Sequence, residues 1–134
     1  MSLEPDARRR SEGAPGELSG SLRDLAGVDR VIHEPARLMI VSILYAAESA
    51  DFLFLLRETG LTKGNLSAHL VRLEEAGHVA IEKSFRGKVP RTVCRLTEGG
   101  RVAFRDYRDR LKRAVDSMPE QSRRRRGRAT LRGF

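Results

Sequence analysis

The stretch that decides the fold is residues 61–77, which read LTKGNLSAHLVRLEEAG. Leu66, Leu70 and Leu73 recur at the i, i+4, i+7 spacing that puts apolar side chains on one side of an α-helix. Thr62 precedes this stripe, and its hydroxyl can accept a hydrogen bond from a free amide of the first helical turn. Gly77 follows the stripe and can adopt the left-handed conformation that ends many helices. The stretch therefore predicts one amphipathic helix over residues 62–76.

The other sides of this helix carry small or hydrogen-bonding residues, concentrated toward its N-terminal half. They are Lys63, Asn65, Ser67, Ala68, His69 and Arg72. Such side chains let a helix come close to a base edge or a phosphate group. The same pattern also fits an ordinary amphipathic helix at a protein surface, and the residues that follow the helix favour the first interpretation.

A strand pair with a basic turn is predicted directly after this helix. Residues 78–85, HVAIEKSF, alternate in polarity as a half-buried strand does, and residues 92–96, TVCRL, return as a second strand. Residues 86–91, RGKVPR, contain three cations and no acid, and Pro90 fits a strand edge or a bulge because it lacks a backbone donor. A helix followed by a hairpin with a cationic tip is the layout of a winged helix-turn-helix.

Four motifs carry a resemblance to a known family. They are GNLSxHLxxLExAGxV over residues 64–79, KxF over 83–85, PxT over 90–92 and LTxxGR over 96–101. With these motifs the chain resembles the MarR/ArsR-like winged-helix transcriptional regulators from about His33 to Tyr107. The resemblance implies a dimeric DNA-binding regulator in which a small-molecule effector can bind between the dimer helices and the winged domain. No residue of this sequence identifies an effector.

The segments before the decisive helix complete a helix-turn-helix. Asp51 can cap a short helix over residues 52–58, which the resemblance makes the positioning helix, and Phe52 would end a one- or two-residue strand that joins the wing. Residues 62–76 would then be the recognition helix in the major groove. Pro35 fits the first turn of an earlier helix, residues 35–48, whose apolar residues lie nearly all round it. A helix so apolar is predicted to be the central core helix.

The predicted fold class is mainly α with a small β-wing (α+β), a winged helix-turn-helix with N- and C-terminal dimerisation helices. Leu25, Val28, Val31 and Ile32 recur at helical spacing in the first of these, and Thr97 can cap the second. Residues 1–24 are predicted to be a flexible arm, residues 25–117 the DNA-binding domain with its dimerisation helices, and residues 118–134 a basic disordered tail.

The resemblance and the charge pattern together assign the DNA contacts. Side chains of the recognition helix would read bases or hold phosphates in the major groove, and wing cations would contact the minor groove or the backbone. Asn65 or Arg72 could make a bidentate base contact worth about 1–3 kcal/mol of discrimination. His69 could instead pack between the helix and the core. The predicted DNA-binding residues are Thr62, Lys63, Asn65, Ser67, Ala68, His69, Arg72, Arg86, Lys88 and Arg91.

A homodimer is predicted because the apolar stripe of the last helix continues further than one small domain can cover. Two-fold symmetry would present two recognition helices to two half-sites about one helical turn apart. The predicted dimer-interface residues are Leu25, Val28, Ile32, Phe104, Tyr107, Leu111 and Val115.

The composition of the 134 residues agrees with a polyanionic partner, since the formal net charge is +8 and the pI is near 10.7. Arginine accounts for 22 of the 26 cations, a ratio that codon bias in a GC-rich genome also explains. The arginines of residues 123–128 could add sequence-independent affinity for DNA. The sequence holds no run of 18 apolar residues and no signal peptide, so a cytoplasmic protein without membrane contact is expected.

Other functions make different demands on the sequence. A protein–protein interaction module on a winged-helix scaffold is the alternative, and it predicts an acidic or apolar recognition face. No phosphate-binding loop, paired carboxylates or nucleophile–base motif indicates an enzyme. The three histidines and Cys94 lack metal-ligand spacing, so neither a metal nor another cofactor is expected. Cys94 is expected to be a small core residue, with a redox switch as the alternative.

Overall fold

The computed structural model describes residues 22–121 of the chain. Its elements in chain order are a 3₁₀ helix (Arg23–Gly27), α1 (Pro35–Ala47), β1 (Ser49–Asp51), α2 (Phe52–Thr59), α3 (Lys63–Glu75), β2 (Val79–Arg86), β3 (Val89–Leu96) and α4 (Glu98–Asp116). This order confirms the predicted winged helix-turn-helix and its α+β class. Among residues 22–121, no helix is both long and apolar enough to cross a membrane.

The chain divides into two compact units. Residues 27–111 form the first unit, which holds α1 to α3, the sheet and α4 as far as Leu111. The described residues of the second unit are 22–26 and 112–121, and within it Nε of Arg113 donates to Oδ2 of Asp24 at 3.0 Å. The predicted arm (1–24) and tail (118–134) lie largely outside the described residues.

α1 is the central helix of the first unit. Pro35 occupies its first turn, where a missing amide costs no hydrogen bond, and Glu34 caps it by accepting from the amide of Arg37 at 2.8 Å. The fully buried side chains of α1 are Ile40, Val41 and Leu44. These buried residues agree with the predicted central core helix, but Met39 is 40 % exposed, so α1 is not buried on every side that carries an apolar residue.

α2 and α3 form the helix-turn-helix. Asp51 caps α2 by accepting from the amide of Phe54 at 2.8 Å, and Gly60 ends α2 in the left-handed conformation at φ 73°. Thr62 caps α3 by accepting from the amide of Asn65 at 3.1 Å. The predicted caps are therefore confirmed. The buried residues of α3 are the predicted stripe of Leu66, Leu70 and Leu73.

The wing is part of a three-stranded antiparallel sheet in the order β1-β3-β2. Residues 49–51 of β1 pair with residues 93–95 of β3, which confirms that a short strand joins the wing. The strand has three residues and ends at Asp51, so the prediction of one or two residues ending at Phe52 is wrong. β2 pairs with β3 from Val79 and Leu96 at the base to Arg86 and Val89 at the tip. Gly87 opens the two-residue turn with a φ of 63°, a conformation that tight hairpins favour.

The first turn of α4 is fixed to the loop between α3 and β2. Thr97 caps α4, as predicted, by accepting from the amide of Gly100 at 2.9 Å. The same hydroxyl donates to the carbonyl of Gly77 at 2.6 Å, and the amide of Thr97 donates to the carbonyl of His78 at 3.0 Å. These bonds hold the start of α4 at the base of the wing.

The predicted α-helix over residues 25–32 is wrong. The structure has a 3₁₀ helix over Arg23–Gly27 and turns over residues 28–34. Asp29 supplies the physical reason, because its Oδ1 accepts from the amides of Val31 at 2.9 Å and Ile32 at 3.1 Å. Its other oxygen, Oδ2, lies 2.8 Å from Nε2 of His78. An aspartate that bonds to nearby amides in this way competes with helix formation, so apolar residues at helical spacing can belong to a turn.

Candidate nucleic-acid interface

α3 presents small and polar side chains to solvent. Its exposed residues from the predicted contact set are Lys63, Asn65, Ser67, Ala68 and Arg72. Thr62, directly before the helix, is exposed as well. The leucine stripe turns these residues outward because it occupies the opposite side of the helix. Six of the predicted contacts are therefore accessible along one element.

Two residues with little bulk lie opposite the buried leucines of α3, namely Gly64 and Ala68, one helical turn apart. A Cβ built on Gly64 would meet nothing within 4 Å, so packing within the protein does not require a glycine there. In the N-terminal half of α3 this side carries no long side chain and can approach another molecule closely, whereas Val71 and Glu75 lie on the same side further along the helix. Gly64 is absent from the predicted contacts, because the sequence does not reveal whether its surroundings are open or crowded.

The charges of α3 differ between its two ends. Lys63 is exposed in the first turn, whereas the last turn exposes Arg72 together with Glu74 and Glu75. Carboxylates repel phosphate groups, and amides at a helix N-terminus attract them. A polyanion can therefore approach the N-terminal half of α3 more favourably than the C-terminal half.

His69 does not share the outward orientation of the other predicted contacts. Its Nδ1 lies 3.1 Å from Nη1 of Arg37 on α1 and 4.0 Å from Oε1 of Glu34. A guanidinium can only donate, so Nδ1 accepts in the contact with Arg37. The structure places the half-buried His69 between α3 and α1, which is the alternative that the sequence left open.

Two of the three predicted wing cations lie at the tip of the hairpin. Arg86 and Lys88 are exposed on either side of Gly87. Arg91 is instead half-buried, with its Nη2 3.5 Å from Oδ2 of Asp51. Its Nε is buried without a hydrogen-bond partner among the described residues. Arg91 therefore links β3 to the start of α2 and does not project from the tip.

The wing surface also exposes three residues that are absent from the predicted contacts. Lys83 is exposed, Phe85 is 68 % exposed and Val89 is 64 % exposed. Phe85 lies on the sheet face that buries Val79 nearer the base. Alternation in the sequence thus gives Phe85 a core-facing position, but the core ends before the strand reaches it. The exposure of Phe85 becomes evident only when the length of the strand is compared with the extent of the core.

Two shallow grooves border the sheet. One of about 370 Å³ lies between α3 and the sheet, and Ser67, Glu74 and Lys83 are among its lining residues. The other, of about 360 Å³, lies between the start of α2 and the wing, with Leu53 and Phe85 in its lining. Ser67 therefore points toward the sheet side of α3 and away from His69.

Four predicted dimer-interface residues belong to the core of the first unit. They are Val28, Ile32, Phe104 and Tyr107, with exposures of 5 %, 0 %, 7 % and 2 %. The hydroxyl of Tyr107 also lies 2.8 Å from Nδ1 of His33. Leu25 and Leu111 are half-buried, and Val115 is 51 % exposed. The apolar surface that a second copy could cover is thus smaller than predicted, because packing within the protomer already covers those four side chains.

The described residues offer little to metal or thiol chemistry. Among residues 22–121, no three histidine, cysteine, aspartate or glutamate side chains are grouped as a metal site would require. Burial raises the pKa of the Cys94 thiol from its ordinary 9.0 to about 11, and the nearby carboxylates of Glu74 and Asp51 add to the effect. A thiol that stays protonated at neutral pH is a poor nucleophile and a poor metal ligand.

The sequence is similar to a known domain family and to a protein from an archaeon. The winged helix DNA-binding domain family matches residues 36–115. An uncharacterized protein of Methanocaldococcus jannaschii is 39 % identical over 79 residues, which are 58 % of this chain and 85 % of that protein.

Two solved structures are similar in fold. A transcriptional regulator homologue from Pyrococcus horikoshii has a TM-score of 0.66 and 29 % identity, over 70 % of this chain and 95 % of that one. A transcriptional regulator of the MarR family from Enterococcus faecalis has a TM-score of 0.54 and 21 % identity, over 73 % of this chain and 84 % of that one.

Proposed function

Because the chain belongs to the winged helix DNA-binding domain family and has the MarR-like fold that its motifs predicted, we propose that it is a transcriptional regulator. It would bind specific sequences of double-stranded DNA as a homodimer. One observation carries the proposal. The N-terminal half of α3 exposes Lys63, Asn65 and the small residues Gly64 and Ala68, with no acid among its exposed residues.

In the major groove, some residues of the recognition helix would contact base edges and others would contact phosphates. Asn65 is suited to the N6 and N7 atoms of adenine, and Arg72 to the O6 and N7 atoms of guanine. Thr62 and Lys63 precede or begin the helix, where donors meet phosphate oxygens. Ser67 faces the groove between α3 and the sheet, so it would contact the sugar–phosphate backbone of the DNA strand nearest the wing.

The wing would carry the second part of the contact. Arg86 and Lys88 lie at the tip of a hairpin that extends beyond the core, and both are exposed. Each phosphate that such a cation neutralises lowers log K by about 0.9 for every tenfold rise in salt. His69 and Arg91 have partners within the protein, so we leave them out of the proposed contact surface.

The homodimer rests on the exposed apolar side chains near the end of the described chain. Val115 is 51 % exposed and Met118 is 46 % exposed, which favours a partner that covers them. Of the predicted interface residues we retain Leu25, Leu111 and Val115. A two-fold pair would present two copies of α3 to a pseudo-palindromic site.

Fluorescence anisotropy tests the proposal. The purified protein is titrated against duplexes from the region upstream of its own gene and against scrambled duplexes of the same composition, across a salt series. We expect tighter binding to one upstream duplex, with a steep salt dependence for both kinds of DNA. Asn65→Ala should reduce the difference between the duplexes, because it removes a base contact and no charge.

Ser67→Ala and Ser42→Ala provide a matched pair for the same assay. Both serines are exposed on helices, but Ser42 lies on α1, outside the proposed surface. Only Ser67→Ala should weaken binding. Equal, weak binding to every duplex, unaffected by either variant and lost when residues 119–134 are deleted, would favour a protein–protein interaction module on a winged-helix scaffold.

A further inference from the structure

The wing carries the two most exposed large hydrophobic side chains among residues 22–121. Phe85 is 68 % exposed and Val89 is 64 % exposed, ahead of Leu53 at 58 %. Phe85 directly precedes Arg86, and Val89 directly follows Lys88, so both flank the turn of the hairpin. Single exposed hydrophobic residues are ordinary at protein surfaces, but two at one hairpin tip form a patch.

The strand register distributes this patch over both faces of the hairpin. Phe85 pairs with Pro90 across the strands, and Arg86 pairs with Val89. Side chains opposite each other share a face, and adjacent positions alternate, so Phe85 and Pro90 lie on one face and Val89 on the other. We call Phe85, Val89 and Pro90 the wing wedge. It is apolar on both faces and has cations at its tip.

The fold itself does not require the wing wedge. On the core-facing side of the hairpin, burial ends with Cys94 and its partner Ile81, which are fully buried and half-buried respectively. In the next pair toward the tip, Lys83 is exposed and Thr92 is half-buried. Threonine would suit an exposed strand as well as phenylalanine or valine does, without placing apolar surface in water. A partner that covers the wedge explains its apolar character.

The charge around the wing wedge selects the partner. Residues 83–91, KSFRGKVPR, contain no acid, and three of their four cations, Lys83, Arg86 and Lys88, are exposed, whereas Arg91 pairs with Asp51. An apolar protein surface would have to cover uncompensated cations there, which is unfavourable. The minor groove of DNA offers two phosphate rims with apolar sugar walls between them, and proteins insert phenylalanine and proline side chains there. The phosphate rims match the cations of the tip, and the apolar sugar walls match the wing wedge.

We propose that the wing wedge enters the minor groove, packs on the deoxyribose walls and partly separates one base step, which bends the duplex, while Arg86 and Lys88 bind the flanking phosphates. This inference rests on the proposed function and adds a second source of specificity to it. Pyrimidine–purine steps unstack most easily, so operators should carry TA or CA/TG steps where the wing lies. That preference would arise without a hydrogen bond to any base.

The test compares affinity, salt slope and bending for one DNA duplex. The variant combines Phe85→Thr with Val89→Thr, and Val102→Thr is the control, since Val102 is 51 % exposed but lies on α4. Bending is read from energy transfer between dyes at the two duplex ends. The double variant should bind at least about tenfold more weakly and leave the duplex straight, with an unchanged salt slope because no charge is removed. Lys88→Ala should lower the slope by about 0.9 and preserve the bend.

Several results would overturn the inference. If the double variant binds and bends DNA as the wild type does, the wing wedge is not a DNA contact, although the proposed function stands. If the double variant instead changes the sedimentation of the free protein, a second copy covers the wedge. If the wild type binds a specific duplex without bending it, base-step separation is excluded. If the wild type binds no duplex at all, the proposed function and the wedge fail together.

Discussion

Gly100 on α4 lies directly against the backbone carbonyl of His78, so that a Cβ added at Gly100 would be 2.1 Å from that oxygen. The same carbonyl accepts the amide of Thr97 at 3.0 Å. His78 lies between α3 and β2, so this contact joins the start of α4 to the loop between the proposed recognition helix and the wing. The two elements that are proposed to bind DNA are thus joined next to one close approach of two backbones.

Gly100→Ala is therefore expected to destabilise the protein. Neither the His78 carbonyl nor the helix backbone can move aside easily, so the free energy of unfolding should fall by about 1–3 kcal/mol or more. Gly99→Ala is the matched control in the same helical turn, because a Cβ there would make only ordinary contacts at 3.7 and 3.8 Å. Urea denaturation checks both variants. Equal stabilities for the two would contradict the close packing at Gly100.

Gly64→Ala should separate folding from DNA binding. A Cβ at Gly64 meets no atom of the protein within 4 Å, and alanine is the better helix former by about 0.5–1 kcal/mol. Unfolding should thus require slightly more urea, whereas affinity for the specific duplex should fall because the added methyl group meets DNA. Denaturation and anisotropy measure the two effects. Unchanged affinity would show that the first turn of α3 does not approach DNA closely.

Removal of wing cations should change the salt dependence more than the sequence preference. Arg86→Ala and Lys88→Ala should each lower the slope of log K against log salt by about 0.9, for specific and scrambled duplexes alike. Arg105→Ala is the control, an exposed arginine on α4. Anisotropy over a salt series gives the slopes. If the Arg105 variant lowers the slope as much as the wing variants do, the phosphate contacts are not localised at the wing.

Cys94 should be inert in the native protein. Because the folded-state pKa is about 11, the thiol stays protonated at pH 8, and labelling by a thiol reagent should wait for unfolding. DNA binding should be the same under oxidant and reductant, and Cys94→Ser should not alter that equality. Rapid labelling without denaturant, or oxidant-dependent binding by the wild type only, would revive a redox switch.

The same pKa shift has a defined effect on stability. The thiol ionises more readily in the unfolded state, where its pKa is near the ordinary 9.0, than in the folded state. Cys94 therefore makes no pH-dependent contribution below about pH 8, and its ionisation should favour unfolding as the pH rises from about 9 to 11. Wild type and Cys94→Ser, compared by urea denaturation over this range, should diverge in that direction.

Local signals in the sequence were enough to predict the helix-turn-helix. Thr62 and Asp51 cap their helices through bonds that involve residues only three positions away, and the leucine stripe of α3 has an unambiguous spacing. The segment before α1 could not be predicted in the same way. Its conformation depends on Asp29, whose carboxylate also meets His78, 49 residues later in the chain.

The candidate interface was predictable where exposure follows from periodicity and not where it depends on tertiary packing. Asn65 and Ala68 are exposed because the leucines fix the rotation of α3. Arg91 looked like a third wing cation, but the register of β3 brings it to Asp51. Alternation puts Phe85 on the core-facing side of β2, but the core does not extend to the tip of the wing.

Hydroxyl-radical footprinting of a selected operator tests most directly the claim that α3 and the wing of a dimer bind specific DNA. We predict two protected patches centred about one helical turn apart, with added protection at the minor-groove positions where the wings lie. Asn65→Ala should abolish the pattern at wild-type concentrations. Uniform protection that ignores sequence, or a single patch without a symmetric partner, would contradict the account.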